Sequence, residues 1–236
     1  MDVTLPGGSS VKDTPGETKS WTTSFKELGA QVVQNFDPLK QFKVHFCGFA
    51  FYNGDPKRQV ELHHYVASLN DDVYQCAVFD SPDPGARLIG IEYVVTEKIF
   101  QTLDAEEQKL WHNHAYDIKS GSFIAPGLPA PVERKVMSDL LMTYGKTFIL
   151  WQTDRGDTLP LGLPQLMMTA NRDGQWNPEL FKAREARRGG QYRVDDIMAS
   201  RADMQMPPIH PGCDQWSRDA LALQCKIDEV IPKSNF

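Results

Sequence analysis

From Trp21 to about Asn35 the apolar residues Phe25, Leu28, Val32, Val33 and Phe36 recur every three or four positions, which predicts an amphipathic helix closed by Pro38. The period then changes to two. Phe42, Val44 and Phe46 alternate with Lys43, His45 and Cys47, and Asn53-Gly54-Asp55-Pro56 turns the chain. Val60 to Leu69 predicts a second strand, Asn70-Asp71-Asp72 a turn, and Val73 to Phe79 a third strand. After the break at Ser81-Pro82-Asp83-Pro84-Gly85, Leu88 to Val95 is a nearly continuous apolar strand. Short strands joined by turns favour an antiparallel meander.

Helical spacing returns at Asp104 to about Trp111, where Asp104 and Glu107 form a capping-box pattern. It returns again from Pro131 to Tyr144, with Val132, Val136, Met137, Leu140 and Leu141 on one face and Gly145 as the stop. Lys146 to Thr153 and Leu166 to Ala170 read as further strands. The predicted class is α+β: a single domain with a mostly antiparallel sheet flanked by helices. Residues 1–20, rich in Gly, Pro, Ser and Thr, read as a flexible arm. The domain is expected over 21–180, and 181–236 as an irregular tail that wraps it.

Composition narrows the function classes. A hydrophobic fraction of 41% over 236 residues is enough to build one core. The formal net charge of -6 disfavours nucleic acid as a partner, because phosphate binding needs a basic face. No apolar run reaches the roughly 18–20 residues of a spanning helix, and no basic-then-apolar leader opens the chain. Cys47, Cys76, Cys213 and Cys225 are widely spaced, so four free thiols and a cytoplasmic location are expected.

Glu92 is the most informative single residue, a carboxylate in the middle of an apolar strand, on the face of Leu88, Gly90 and Val94. It must be paired, exposed, neutralised or bound to metal. A salt bridge or a solvated sheet face accounts for it; so does a metal ligand or a general acid/base, and Glu92 is the candidate catalytic residue. Five of the six histidines fall between residues 45 and 114. On a strand His63 and His64 point to opposite faces, and His64 shares the inward one with Leu62 and Val66. In an extended His-x-His segment, His112 and His114 point to one side. The candidate site is therefore His64, Glu92, His112 and His114, with His45 as a further ligand. Imidazoles with one carboxylate suit a divalent metal, Zn²⁺, Fe²⁺ or Mn²⁺. Separate, individually satisfied histidines are the plainer account. Glu61-Leu62-His63-His64 matches the Glu-x-x-His pattern of di-iron bundles, but a strand does not supply the helix which that pattern needs. The cluster Lys182, Arg184, Arg187 and Arg188 predicts a short basic helix that is solvated or touches anionic lipid headgroups.

Four separated blocks, HFCGFAFYNGDPKRQVELHHYV (45–66), LIGIEYVVTEKIFQTL (88–103), KLWHNHAYDIKSG (109–121) and TYGKTFILWQTDRGDTLPLGLPQLMMT (143–169), together resemble the oil body-associated protein family. The resemblance covers roughly residues 21–180. It implies a role at lipid droplets or in storage-lipid biology, and it brings no assigned catalytic residue. The chain lacks the long apolar hairpin of oil-body coat proteins, so association with a droplet surface is expected to be peripheral. The alternative is a metal-dependent enzyme acting on a small-molecule ligand.

Overall fold

The computed structural model describes residues 14–219 and 222–226. The predicted meander is present as β1 (Val44–Tyr52), β2 (Asp55–Ser68), β3 (Val73–Phe79) and β4 (Leu88–Thr96), each antiparallel to the next. Two later strands, β6 (Thr143–Ile149) and β7 (Gln165–Met168), complete a ring. β4 pairs with β6 from Gly90↔Ile149 to Thr96↔Thr143, β6 pairs with β7, and β7 returns to β1 at Phe51↔Met168. The sheet is thus a closed six-stranded antiparallel barrel, which leaves no unpaired edge among those strands. A two-residue strand, β5 (His112–Asn113), continues along the β6 edge where β7 stops, pairing His112 with Gly145.

Alternation along the strands sorts side chains to the two faces. Ala50, Leu62, Val78, Ile149 and Met167 pack together inside one half of the barrel. Phe46, Val66, Cys76 and Val94 fill the other half, which is plugged by Met137 and Leu141 at the end of α5 (Ala130–Leu140). Outside, Phe49, Phe51, Leu166 and Met168 are covered by Trp176 and by Leu180 of α6 (Pro178–Arg187). α2 (Glu97–Phe100) lays Phe100 on Tyr144 of β6, rings stacked at 3.9 Å.

Several expectations need correction. The helix expected over Pro131–Tyr144 ends at Leu140, and Tyr144 belongs to β6, because β4 supplies the strand partner that the local pattern could not reveal. The helix expected from Asp104 to Trp111 shortens to α3 (Ala105–Gln108). Asp104 caps it by accepting from the Glu106 and Glu107 N–H groups, while Glu107 turns away to Trp111 and Lys146. Leu88 does not share the face of Glu92: the register skips Ile89 between Phe79↔Leu88 and Val78↔Gly90, so Ile89 is buried and Leu88 exposed.

The segment after residue 180 is part of the body as far as the described residues run. Arg184 of α6 is fully buried and donates to the Gly121 and Ser122 carbonyls at 2.6 and 2.8 Å. Arg201, just after α7 (Val194–Ser200), is equally buried and donates to the Ile118 and Phe123 carbonyls at 2.7 and 2.8 Å. These two guanidiniums fix the loop after α4 (Ala115–Lys119), which is also stitched to β1 by reciprocal 2.9 Å bonds between Cys47 and Ile124. Of the basic cluster only Arg184 is consumed inside the protein; Arg187 and Lys182 stay exposed, paired to Glu61 and Glu179. All four cysteines are free, as expected.

α1 (Trp21–Val33) forms where the spacing predicts it, with Ser20 capping it through the Thr23 N–H, yet none of its residues is buried. Of the arm expected over 1–20, residues 1–13 lie outside the described residues. No helix among the described residues is long and apolar enough to cross a membrane.

Candidate metal centre

Between the two apolar halves of the barrel lies a belt of polar side chains. Glu92 projects inward from β4 and His64 from β2, as the period-two pattern requires, and both are buried. His112 reaches in from β5, and His114 follows at the start of α4. The extended backbone at His112-Asn113 puts both rings on the same side, their centroids 5.1 Å apart.

Their convergence depends on Gly145. This residue sits in β6 between Val94 of β4 and His112 of β5, so its backbone is held from both sides. A Cβ at position 145 would lie 2.5 Å from Glu92 Oε1, 2.7 Å from His112 Nε2 and 2.8 Å from His114 Nε2. The missing side chain opens the gap in which the three donor atoms meet. The donor atoms of Glu92, His112 and His114 lie within 4.8 Å of one another, as do those of His64, Cys76 and Glu92.

Hydrogen bonding around the cluster sets the donors' chemistry. The Thr143 hydroxyl donates to the Leu140 carbonyl at 2.7 Å, so its oxygen accepts from His114 Nδ1–H at 2.8 Å. That places a proton on Nδ1 and turns His114 Nε2 towards Glu92 Oε1, 3.7 Å away. His112 Nε2 lies 3.4 Å from the same oxygen, and Thr147 donates to it at 2.8 Å. His64 Nδ1 approaches Glu92 Oε2 at 2.7 Å but is not aligned to hydrogen-bond with it. Burial by itself would push the Glu92 carboxyl up; the surrounding His64, His112 and His114 outweigh it and hold the group well below the ordinary carboxylate range. Burial also pushes His112 below the usual imidazole range. Cys76, buried beside Glu92, is pushed well up and stays a thiol.

Four of the five candidate ligands thus come together. The fifth does not. His45 lies on the outer face of β1, its Nε2 3.1 Å from His63 Nδ1 and its ring stacked on Tyr65, because odd and even positions of the strand face opposite ways. Glu61 is also on that outer face, where it meets Cys47, His63 and Arg187, so Glu-x-x-His here spans two faces of a strand. Sequence reasoning missed Cys76, Thr143, Thr147 and Gly145. Cys76 was available from the alternation of β3, in which it shares a face with Tyr74 and Val78; Gly145 was read as a helix stop.

Residues 36–205 match the family described as "Protein of unknown function (DUF1264)". Oil body-associated protein 1A of Zea mays is 45% identical over 223 residues, covering 93% of this chain and 92% of the relative. The chain belongs to the oil body-associated protein family. Within that family, protein 2A of Zea mays is 45% identical over 208 residues, 86% of this chain and 82% of its own. Protein 1B of Arabidopsis thaliana is 45% identical over 199 residues, with 84% and 82% covered. No solved structure matches the chain. The family match begins at residue 36, just after α1, and ends at 205, so it takes in the barrel and every candidate ligand.

Proposed function

We propose that the chain is an oil body-associated protein that reaches the droplet from the cytoplasm and attaches peripherally, through α1. The observation that carries this reading is the apolar stripe of that helix. Trp21, Phe25, Leu28 and Val32, at successive spacings of four, three and four, are 81%, 72%, 60% and 78% exposed, and no residue of the helix is buried. Aromatic and aliphatic residues along one side of an unpacked helix suit the boundary between headgroups and acyl chains. The relatives' names supply the surface: an oil body. Flotation with artificial triacylglycerol droplets tests it. The parent is expected in the floating layer, and Trp21→Ser/Phe25→Ser/Leu28→Ser in the aqueous phase with an unchanged melting temperature. A triple variant that still floats with the droplets would sink the reading.

A second reading is favoured by the cluster at Gly145. His64, Glu92, His112 and His114 are supported as ligands of a divalent metal such as Zn²⁺, Fe²⁺ or Mn²⁺, since imidazole and carboxylate donors crowd together around Glu92 in the space that Gly145 leaves. With an open position such an ion would supply Lewis-acid chemistry, and Glu92 would be its anionic ligand or a proton acceptor. Elemental analysis of untagged protein beside His64→Ala/His112→Ala tests it: near-stoichiometric metal that falls in the folded variant is expected, and a metal-free parent after reconstitution with all three ions would retire it.

A further inference from the structure

The polar belt is open to solvent on one side only in a useful way. Towards Gly48, Leu62 and Thr169 the void beside Glu92 measures about 10 Å³, room for no more than a single water. On the other side a cavity of about 210 Å³ runs from His64, Glu92 and His114 to the inner face of α5. Its walls are apolar: Phe46, Val66, Val94, Phe123, Val136 and Leu140. Besides Glu92 at its inner end, the only ionisable carboxylate lining it is Asp139, exposed at the α5 rim.

The charges at the inner end select the ligand. The Glu92 carboxylate with the neutral imidazoles of His112 and His114 around a divalent ion leaves a net charge of +1 in a buried site. A buried net charge is unfavourable unless a counter-charge joins it. Resting on the metal reading above, we propose that the barrel binds a small amphiphilic monoanion, a medium-chain carboxylate, with its head oxygen on the metal and its chain in the cavity under α5. A 210 Å³ cavity exceeds the ~150 Å³ apolar cavity that accepts benzene, which sets the chain at roughly six to eight carbons.

The test uses the full chain loaded with Co²⁺, whose visible absorption reports on its coordination. Acetate, hexanoate, octanoate and octan-1-ol are titrated in turn. Carboxylates are expected to change the Co²⁺ bands, with affinity rising about fourfold per methylene up to the length that fills the cavity. Octan-1-ol is expected to leave the bands unchanged. Leu140→Trp, which blocks the mouth, should retain one Co²⁺ per chain and lose the chain-length dependence. Co²⁺ bound one-to-one with bands indifferent to every carboxylate overturns the proposal and leaves the metal reading standing, whereas failure to bind Co²⁺ overturns both.

Discussion

Replacing Gly145 by Ala adds one methyl group at the one point where three donor atoms meet. At 2.5–2.8 Å from Glu92 Oε1, His112 Nε2 and His114 Nε2, that carbon is closer than such contacts ever stand, so the donors or the strand must move. The strand is the harder of the two to move, since β4 and β5 hydrogen-bond it on either side. The donors are constrained as well: Glu92 by Thr147 and His114 by Thr143. Overpacking of this kind costs about 1–3 kcal/mol. For a chain of this size that lowers the melting temperature by roughly 2–4 °C per kcal/mol, or roughly 2–12 °C in all. Displaced ligands should weaken metal binding by at least about tenfold, the lower end of what misoriented ligands lose. Calorimetry and elemental analysis on the same preparation read both quantities. Gly29→Ala is the control, because among the described residues nothing lies within 4 Å of its Cβ and no residue of α1 is buried. A G145A protein that melts with the parent and holds metal as the parent does would refute the account of the site.

Arg201→Ala should be among the more damaging single changes outside the barrel. It strands two buried carbonyls and the Glu133 carboxylate, so a loss of about 3–5 kcal/mol is expected in urea denaturation. Burial, with His63, Arg188 and His64 nearby, lowers His45 to about 4 from an ordinary 6.5. Between those values the unfolded chain takes up a proton that the folded one refuses, so stability falls as pH drops from about 6.5 to about 4. His45→Gln should flatten the slope of melting temperature against pH across that window; an unchanged slope would count against the half-buried, neutral ring. Of the four thiols only Cys225 is exposed, so a thiol reagent should titrate one group in the native protein and four in guanidinium. More than one fast-reacting thiol in the native state would contradict the packing of Cys47, Cys76 and Cys213.

The strands were legible where one face is buried and the period is two. Val73–Phe79 matches residue for residue, and the inward placement of His64 followed from alternation, whereas Glu92 was left open between a buried and a solvated face. Barrel closure was not legible, because the pairing of β4 with β6 joins residues some fifty apart in the chain and no local pattern encodes it. β5 is too short for any period, so the role of His112 was recognised through its neighbour His114 and not through its strand. An amphipathic pattern states that a helix has an apolar face and is silent on what covers it; hence α1 was foreseen and its exposure was not. Arg184 read as part of a solvated basic helix because its partners are backbone carbonyls of a distant loop.

β5 also has a keeper from far along the chain. Asp214 accepts from the Asn113 N–H at 3.3 Å and returns its own N–H to the Trp111 carbonyl at 3.0 Å, clasping the strand that presents His112. The shared family region stops at residue 205, nine positions short of that clasp. A protein trimmed to the family boundary would keep every candidate ligand and lose the hand that steadies one of them. Any shortened version meant to study the barrel therefore has to run past Asp214.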